Sequence, residues 1–228
     1  MPKTRRSGDG RTKDKINMDV YVDYFTTKWD QYLLYLWQHV YISFLALLIA
    51  SAIGIPLGIL CLRNRTINGF INTFFSALKI LPSLVILVIL IPIMGIGVKP
   101  ALVALIVLAI PPILIQTTLG FNKVPDFMME VAAGLGMDEK MTFRRVQVPF
   151  AMPYIMGGIK MAAAEVIASA ALAAYIGSGG LGVIIYNGIS LMKTEYLVIG
   201  GLSVAALTLI CVTLLGRIEK KFLAKEAI

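Results

Sequence analysis

The sequence predicts an all-α membrane protein with about five transmembrane helices, and two observations support this fold class. Of the 228 residues, 58% are hydrophobic and only 15% are charged, whereas soluble domains average about 45–50% apolar and about 25% charged residues. The apolar residues also form blocks without Asp, Glu, Lys or Arg, each long enough to cross a hydrocarbon layer of about 30 Å as a helix. These blocks are Tyr41–Leu62, Ile80–Val98, Pro100–Asn122 and Tyr196–Gly216.

Two further segments complete the prediction of elements. The block Val146–Met192 is interrupted only by Lys160 and Glu165. It is too long for one crossing, so we expect a crossing, a turn and an apolar return. Before the first block, aromatic residues recur at helical spacing and predict an amphipathic interfacial segment over residues 19–39. Residues 1–18 form a polar tail that is expected to be disordered.

The distribution of basic residues predicts the orientation in the membrane. With five alternating crossings, Lys99 and Lys193 are the only basic residues in the connections on one side. The other side carries Arg63, Arg65, Lys79, Lys123, Lys140, Arg144, Arg145, Arg217, Lys220, Lys221 and Lys225. The positive-inside bias therefore places the C-terminus, with a tail of residues 222–228, in the cytoplasm. The basic residues of the N-terminal region leave open an alternative of six crossings, with that region also inside.

Several functional classes are excluded by residue type and spacing. The net charge of +8 comes from basic residues at membrane edges, so we expect no nucleic-acid partner. A single histidine and two distant cysteines provide no metal-ligand or nucleophile–base spacing, so we expect no metal, no cofactor and no enzyme chemistry. The run Gly177–Gly182 fits the dinucleotide pattern GxGxxG, but it follows an Ala-rich helix rather than a strand.

The segment Asp126–Pro149 is neither a membrane span nor a polar linker. An apolar face at helical spacing is followed by Asp138, a predicted N-cap, and by a second short helix. The first helix carries Phe127, Met128, Val131, Leu135 and Met137, and the second carries Phe143, Val146 and Val148. Two short helices with an exposed apolar face predict a docking hairpin below the membrane, and an interfacial hairpin without a partner is the alternative.

This hairpin resembles a known loop. Glu130-Val131-Ala132, then Gly136, nine residues and Val146-Gln147-Val148-Pro149 are similar to the EAA loop, E-A-A-x-x-x-G-x9-I-x-L-P, of the membrane subunits of binding-protein-dependent ABC importers. Further stretches between Val40 and Lys221 resemble the small permeases of osmoprotectant importers. These stretches include Leu81–Leu84, Ile91–Gly97 and Ile176–Gly182.

The resemblance implies the type I (MetI-like) ABC permease fold over residues 40–221, with a coupling loop at residues 123–149. It implies a subunit of a bacterial or archaeal cell membrane that works with a cytoplasmic ATP-binding subunit and a second permease chain, identical or sister. An extracytoplasmic binding protein would deliver glycine betaine, carnitine, choline or proline betaine. The chain departs from these permeases at Lys79, Ile115–Thr117 and Lys160-Met161. A methionine or other amino-acid importer, or a secondary transporter, is therefore kept as an alternative.

Three groups of site residues follow. For the coupling loop the resemblance implies Glu130, Ala132, Ala133, Gly136, Arg144, Arg145 and Pro149. For an outer turn near the gate we expect Gly177, Gly179, Gly180 and Gly182, which permit backbone conformations closed to other residues. For the substrate pathway we expect Lys160, Glu165 and Ser169.

The pathway residues follow from their depth in the bilayer. Counting from Pro149, Lys160 lies about 16 Å and Glu165 about 24 Å into the bilayer. An ionisable residue there should face a cavity or a partner. Glu165 is thus either a pathway carboxylate for a cationic substrate or a structural group, buried or paired with Lys160 of another permease chain.

Overall fold

A computed structural model describes residues 18–63 and 65–226. The predicted disordered tail, apart from its last residue, and the last two residues of the predicted cytoplasmic tail lie outside these ranges. In the described ranges every regular element is helical. The α-helices are α1 (Met18–Leu60), α2 (Arg65–Leu78), α3 (Ser83–Met94), α4 (Val98–Asn122), α5 (Asp126–Gly134), α6 (Glu139–Thr142), α7 (Val148–Ala173), α8 (Gly182–Ser190) and α9 (Thr194–Glu226).

Helix α1 is longer than the sequence predicts. We expect an interfacial segment at residues 19–39 that ends before the first crossing, but helix α1 continues through residue 39 into that crossing. The reason is that no Pro or Gly occurs between Trp29 and Ile53, so nothing there interrupts the helix. Its backbone departs from helical geometry only at Lys28, where φ is −123°. The 37 residues of Tyr24–Leu60 span about 55 Å, so the helix extends beyond a bilayer core of about 30 Å.

The second predicted crossing, Ile80–Val98, is not one continuous helix. Helix α3 has only 12 residues, about 18 Å of rise, which is too short for the hydrocarbon core. It is bent by 93° from α2, with Pro82 preceding its first residue. Four helices of the described residues are long and apolar enough to cross, and the bent pair makes a fifth if it is one span. The predicted number of five crossings is therefore reached only if α2 and α3 form one span. The alternative of six crossings is not found within the described residues.

The long block Val146–Met192 folds as predicted. Helix α7 is the crossing, a short 3-10 turn (Ala174–Ile176) and the glycine-rich segment follow it, and α8 is the apolar return. Helix α8 runs antiparallel to the beginning of α9, since Gly188 lies against Leu197 and Gly200 lies against Ile185.

The core lies where α1, α4 and α7 cross. Small residues permit their close approach: a Cβ added at Gly58 would lie 2.7 Å from the Cβ of Thr117, and one at Gly120 would lie 3.0 Å from the Ala151 carbonyl oxygen. Fully buried aliphatic side chains fill the space between the three helices, among them Leu105, Ile113 and Val166. This core packs α7 against α1 and α4, and the predicted pathway residues Lys160, Glu165 and Ser169 lie on α7.

Candidate functional site

The predicted coupling loop contains a tight turn between α5 and α6. Gly136 has a φ of +73°, a conformation that costs little only for glycine. The Gly136 N–H donates to the Ala133 carbonyl at 2.9 Å, and the Met137 N–H donates to the Ala132 carbonyl at 3.0 Å. These two bonds form a Schellman closure of α5. The Asp138 carboxylate then accepts from the Met141 N–H at 2.6 Å, as expected of an N-cap.

The second half of the loop is joined to the membrane helix. We expect a separate second helix, but α6 passes through a π-helical turn (Phe143–Gln147) directly into α7. No helix breaker lies between Glu139 and Val148, so the chain stays helical. Phe143 stacks on Phe121 of α4, with ring centroids 5.5 Å apart and planes 4° from parallel. The loop is therefore fixed to both α4 and α7.

The apolar face of α5 is uncovered. Phe127, Val131 and Leu135 are 64%, 57% and 70% exposed, while Ala132 is buried beneath them. Glu130, Ala133, Gly136, Arg144, Arg145 and Pro149 are also exposed. The predicted coupling residues are thus accessible, except for Ala132.

Lys160 is engaged within its own chain. Its ammonium forms an ion pair and hydrogen bond with the Glu219 carboxylate of α9. This is the only ion pair among the residues that the structure describes, and its side chains are 30% and 19% exposed. Lys160 thus has an acidic partner on α9 of its own chain, and its place in the substrate pathway stays a prediction. Sequence reasoning missed Glu219, although it is the first acidic residue after the last charge-free block.

The Lys160–Glu219 pair makes a prediction about stability. Lys160→Gln or Glu219→Gln alone should lower the stability of the purified complex by about 1–3 kcal/mol, because the remaining charge is left partly buried. The double variant should lie closer to wild type than either single variant. Thermal unfolding in detergent measures this, and additive losses in the double variant would contradict it.

Glu165 and Ser169 lie one turn apart on the same side of α7. Glu165 is half-buried and Ser169 is buried. Within the described part of the chain, Glu165 forms neither an ion pair nor a hydrogen bond with another side chain. Glu165 is therefore a half-buried ionisable group within a candidate membrane span, on the same side of α7 as Ser169.

The outer turn after α7 is held by α1. Gly177, Gly179 and Gly180 have φ values of +82°, +77° and +83°, and the Gly180 N–H donates to the Gln38 side-chain oxygen at 3.0 Å. The neighbouring His39 is fully buried, and its Nε2 bonds the Ile167 carbonyl at 3.0 Å. A Cβ added at Gly180 would lie 3.1 Å from His39 Nδ1.

Among the glycines of this turn, Gly182 lies closest to the backbone of another helix. A Cβ there would lie 1.9 Å from the carbonyl oxygen of Ala171, so α8 begins in direct contact with the backbone of α7. On the other side, the Gly97 N–H donates to the Ile176 carbonyl at 2.7 Å. The turn joins two helices and follows no strand, which agrees with rejecting a dinucleotide site. Sequence reasoning missed Gln38 and His39, whose only signal is an adjacent polar pair within an apolar helix.

Comparison with known protein families identifies the family of this chain. Residues 54–225 match the family described as binding-protein-dependent transport system inner membrane component. The chain belongs to this family. The match includes the coupling loop, α7 and the outer turn, and it begins within α1.

Curated members of this transport family resemble the chain over most of its length. The carnitine transport permease protein OpuCB of Listeria monocytogenes is 36% identical, over 91% of this chain and 95% of that protein. The choline transport system permease protein OpuBB of Bacillus subtilis is 34% identical, over 88% and 92%.

Solved structures share the fold of this inner membrane component. A chain of an inward-facing MetNI methionine ABC transporter superposes with a TM-score of 0.70 at 22% identity, over 85% of this chain and 95% of that chain. A chain of an amino acid ABC transporter crystallised with histidines gives 0.74 at 20% identity, over 91% and 99%. These likenesses establish the type I ABC permease fold.

Proposed function

We propose that this multi-pass membrane transport subunit is the permease of an ATP-driven importer for a small osmoprotectant such as glycine betaine, carnitine, choline or proline betaine. The observation that carries the proposal is the coupling loop: the exposed apolar helix α5, closed at Gly136, is followed by α6, which is continuous with α7. The substrate class is supported by the two curated relatives, whose names specify carnitine and choline. A methionine or other amino-acid importer is the second candidate.

The coupling loop would dock on a separate cytoplasmic ATP-binding subunit. Its apolar side chains Phe127, Val131 and Leu135 are exposed together on α5, and a contiguous exposed apolar patch is typical of an interaction site. Because α6 passes into α7 without a break, movement of the ATP-binding subunit would tilt α7 and its neighbours together. ATP hydrolysis would thereby switch the permease between inward-facing and outward-facing states. The C-terminus lies on the same, cytoplasmic side in this arrangement.

A second permease chain, identical or sister, would enclose the pathway with this one. The bent pair of α2 and α3 supports this arrangement, because most of α3 is exposed. Its exposed side chains include Val88, Ile89 and Ile93. On the opposite side, an extracytoplasmic binding protein would deliver substrate near the outer turn. Gly177, Gly179, Gly180 and Gly182 hold that turn close to α1 and α7, where it would act as part of the gate.

We place Glu165 in the substrate pathway, where its carboxylate would contact the cationic group of the substrate. Ser169 lies on the same side of α7. Glu165→Gln should keep the assembled complex intact and lower choline uptake about tenfold, because a desolvated cation loses its counter-charge. Uptake of radiolabelled choline into proteoliposomes measures this. Asp30→Asn, which removes an exposed carboxylate on α1, is the matched control. Wild-type uptake in Glu165→Gln would exclude the pathway role.

The proposed function as a whole is tested by reconstitution. The permease, its ATP-binding subunit and its binding protein are placed in proteoliposomes, and uptake of glycine betaine, carnitine, choline and methionine is compared. We expect ATP-dependent uptake of at least one of the first three and none of methionine. Uptake of methionine alone would instead establish the amino-acid importer.

A further inference from the structure

A charged pocket lies at the outer ends of α1 and α9, away from the pathway. It has a volume of about 310 Å³ and contains Lys28, Lys193 and Tyr196 in its wall. The Lys28 ammonium donates to the Tyr196 hydroxyl at 3.0 Å. The Lys28 and Lys193 ammonium groups lie 5.1 Å and 5.4 Å from the centroid of the Tyr196 ring. Two cations thus share one aromatic ring.

The charge of this pocket is not balanced. Glu195 also lines it, yet neither lysine forms an ion pair with an acidic residue in the part of the chain that the structure describes. In the described wall two lysines accompany one glutamate, and their net positive charge would attract an anion. The Tyr196 hydroxyl adds a hydrogen-bonding group at the same place. The pocket therefore has the chemistry of a carboxylate or phosphate site.

The pocket lies further out along the helices than the outer turn does. The outer turn lies level with the start of α4, because Gly97 bonds Ile176 and Gly180 contacts His39. Helix α4 has 25 residues, about 37 Å, and Lys28 precedes His39 by another eleven residues, about 16 Å. Measured along α1, Lys28 therefore lies about 16 Å beyond the outer turn. The antiparallel course of α8 brings Lys193 to the same height, so both lysines lie on the side from which a binding protein would approach.

The surroundings of the pocket fit a protein partner. Met192, which has a φ of +55°, is 92% exposed, and the adjacent Leu191 is 58% exposed. Methionine and tyrosine, which the pocket presents as Met192 and Tyr196, are enriched in protein interfaces. The inner wall residue Tyr24 belongs to the same buried cluster as Leu181, Ile184 and Ile199. A partner bound at the pocket would therefore rest on the cluster that supports the outer turn.

The geometry points to a docking site in which Lys28, Lys193 and Tyr196 bind an acidic side chain of the extracytoplasmic binding protein. This inference rests on the proposed function, which supplies that partner. The chain's own N-terminal tail is a poorer occupant, because residues 1–17 contain six basic and only two acidic residues.

The test is direct binding of the purified binding protein to the permease–ATPase complex in nanodiscs of phosphatidylcholine. The double variant Lys28→Glu/Lys193→Glu should weaken binding about tenfold or more at low salt, because like charges would then face each other. Lys28→Gln/Lys193→Gln should give a smaller loss and a weaker salt dependence. Lys220→Glu, an exposed charge change at the opposite end of α9, is the control and should bind as wild type does. Co-elution of the ATPase subunit verifies assembly of each variant.

Three other outcomes would contradict either the docking site or the proposed function. Unchanged affinity in both double variants would overturn the docking site while leaving the importer function intact. Absence of binding to the wild-type complex would overturn the proposed function itself. A defect that depends on phosphatidylglycerol in the nanodisc, and not on the binding protein, would assign the pocket to lipid and overturn the inference.

Discussion

Gly136→Asp is expected to abolish transport while the chain remains inserted and abundant in the membrane. No atom lies within 4 Å of the position a Cβ would take at Gly136, so the substitution causes no clash within the chain. It forces a side chain into a φ of +73° and adds a negative charge to the surface proposed to dock on the ATP-binding subunit. Uptake, membrane abundance and co-purification of the ATPase subunit measure the effect.

Gly136→Asn separates charge from shape. Asparagine tolerates a left-handed backbone better than most residues and is close to aspartate in size. We therefore expect this variant to retain more ATPase binding and more uptake than Gly136→Asp. Loss of the chain from the membrane, without a specific loss of ATPase binding, would show that Gly136 serves folding and not coupling.

Gly182→Ala is expected to reduce the assembled permease and its transport more than alanine at any other glycine in the described residues. The added Cβ would lie 1.9 Å from the Ala171 carbonyl oxygen and 2.7 Å from the Ala171 carbonyl carbon. Both atoms belong to the backbone of α7, which cannot rotate away, so α8 must move. We expect a cost of about 3 kcal/mol, near the upper end of the usual overpacking penalty. Size-exclusion chromatography of the complex and uptake assays measure the result.

Gly201→Ala provides the matched control for this methyl group. Gly201 also lies in a helix, but no atom is found within 4 Å of its added Cβ. Alanine there should be neutral or slightly stabilising, because it has the higher helix propensity. Normal yield and uptake in Gly182→Ala would contradict the contact between α7 and α8.

Features with a local cause could be predicted from the sequence. Charge-free blocks indicate membrane helices because hydrocarbon excludes charge, and α4 accordingly covers the predicted block Pro100–Asn122. Asp138 could be identified as an N-cap because its carboxylate satisfies an N–H only three residues away. The turn at Gly136 follows in the same way from one residue's backbone freedom. The functional roles of the loop, pathway and turn residues remain predictions.

Features that depend on distant contacts could not be predicted. A helix can either continue past Pro82 or bend there, and the charge-free pattern of residues is the same in both cases. The break before α3 could therefore not be predicted from that pattern. Lys160 and Glu219 are 59 positions apart, and nothing in either local sequence specifies the partner. The contact of Gln38 with Gly180 spans 142 positions. It depends on α1 continuing outward, which the interfacial interpretation of residues 19–39 did not include.

The burial of His39 against the outer turn makes that turn observable by magnetic resonance without any engineered label. The chain contains one histidine, so ¹⁵N-histidine incorporation gives a single pair of imidazole signals for each permease chain. The Nε2 signal reports the bond to Ile167, and the Nδ1 signal reports the spacing from Gly180. Following these two signals through the ATPase cycle would test whether the outer turn moves together with the coupling loop.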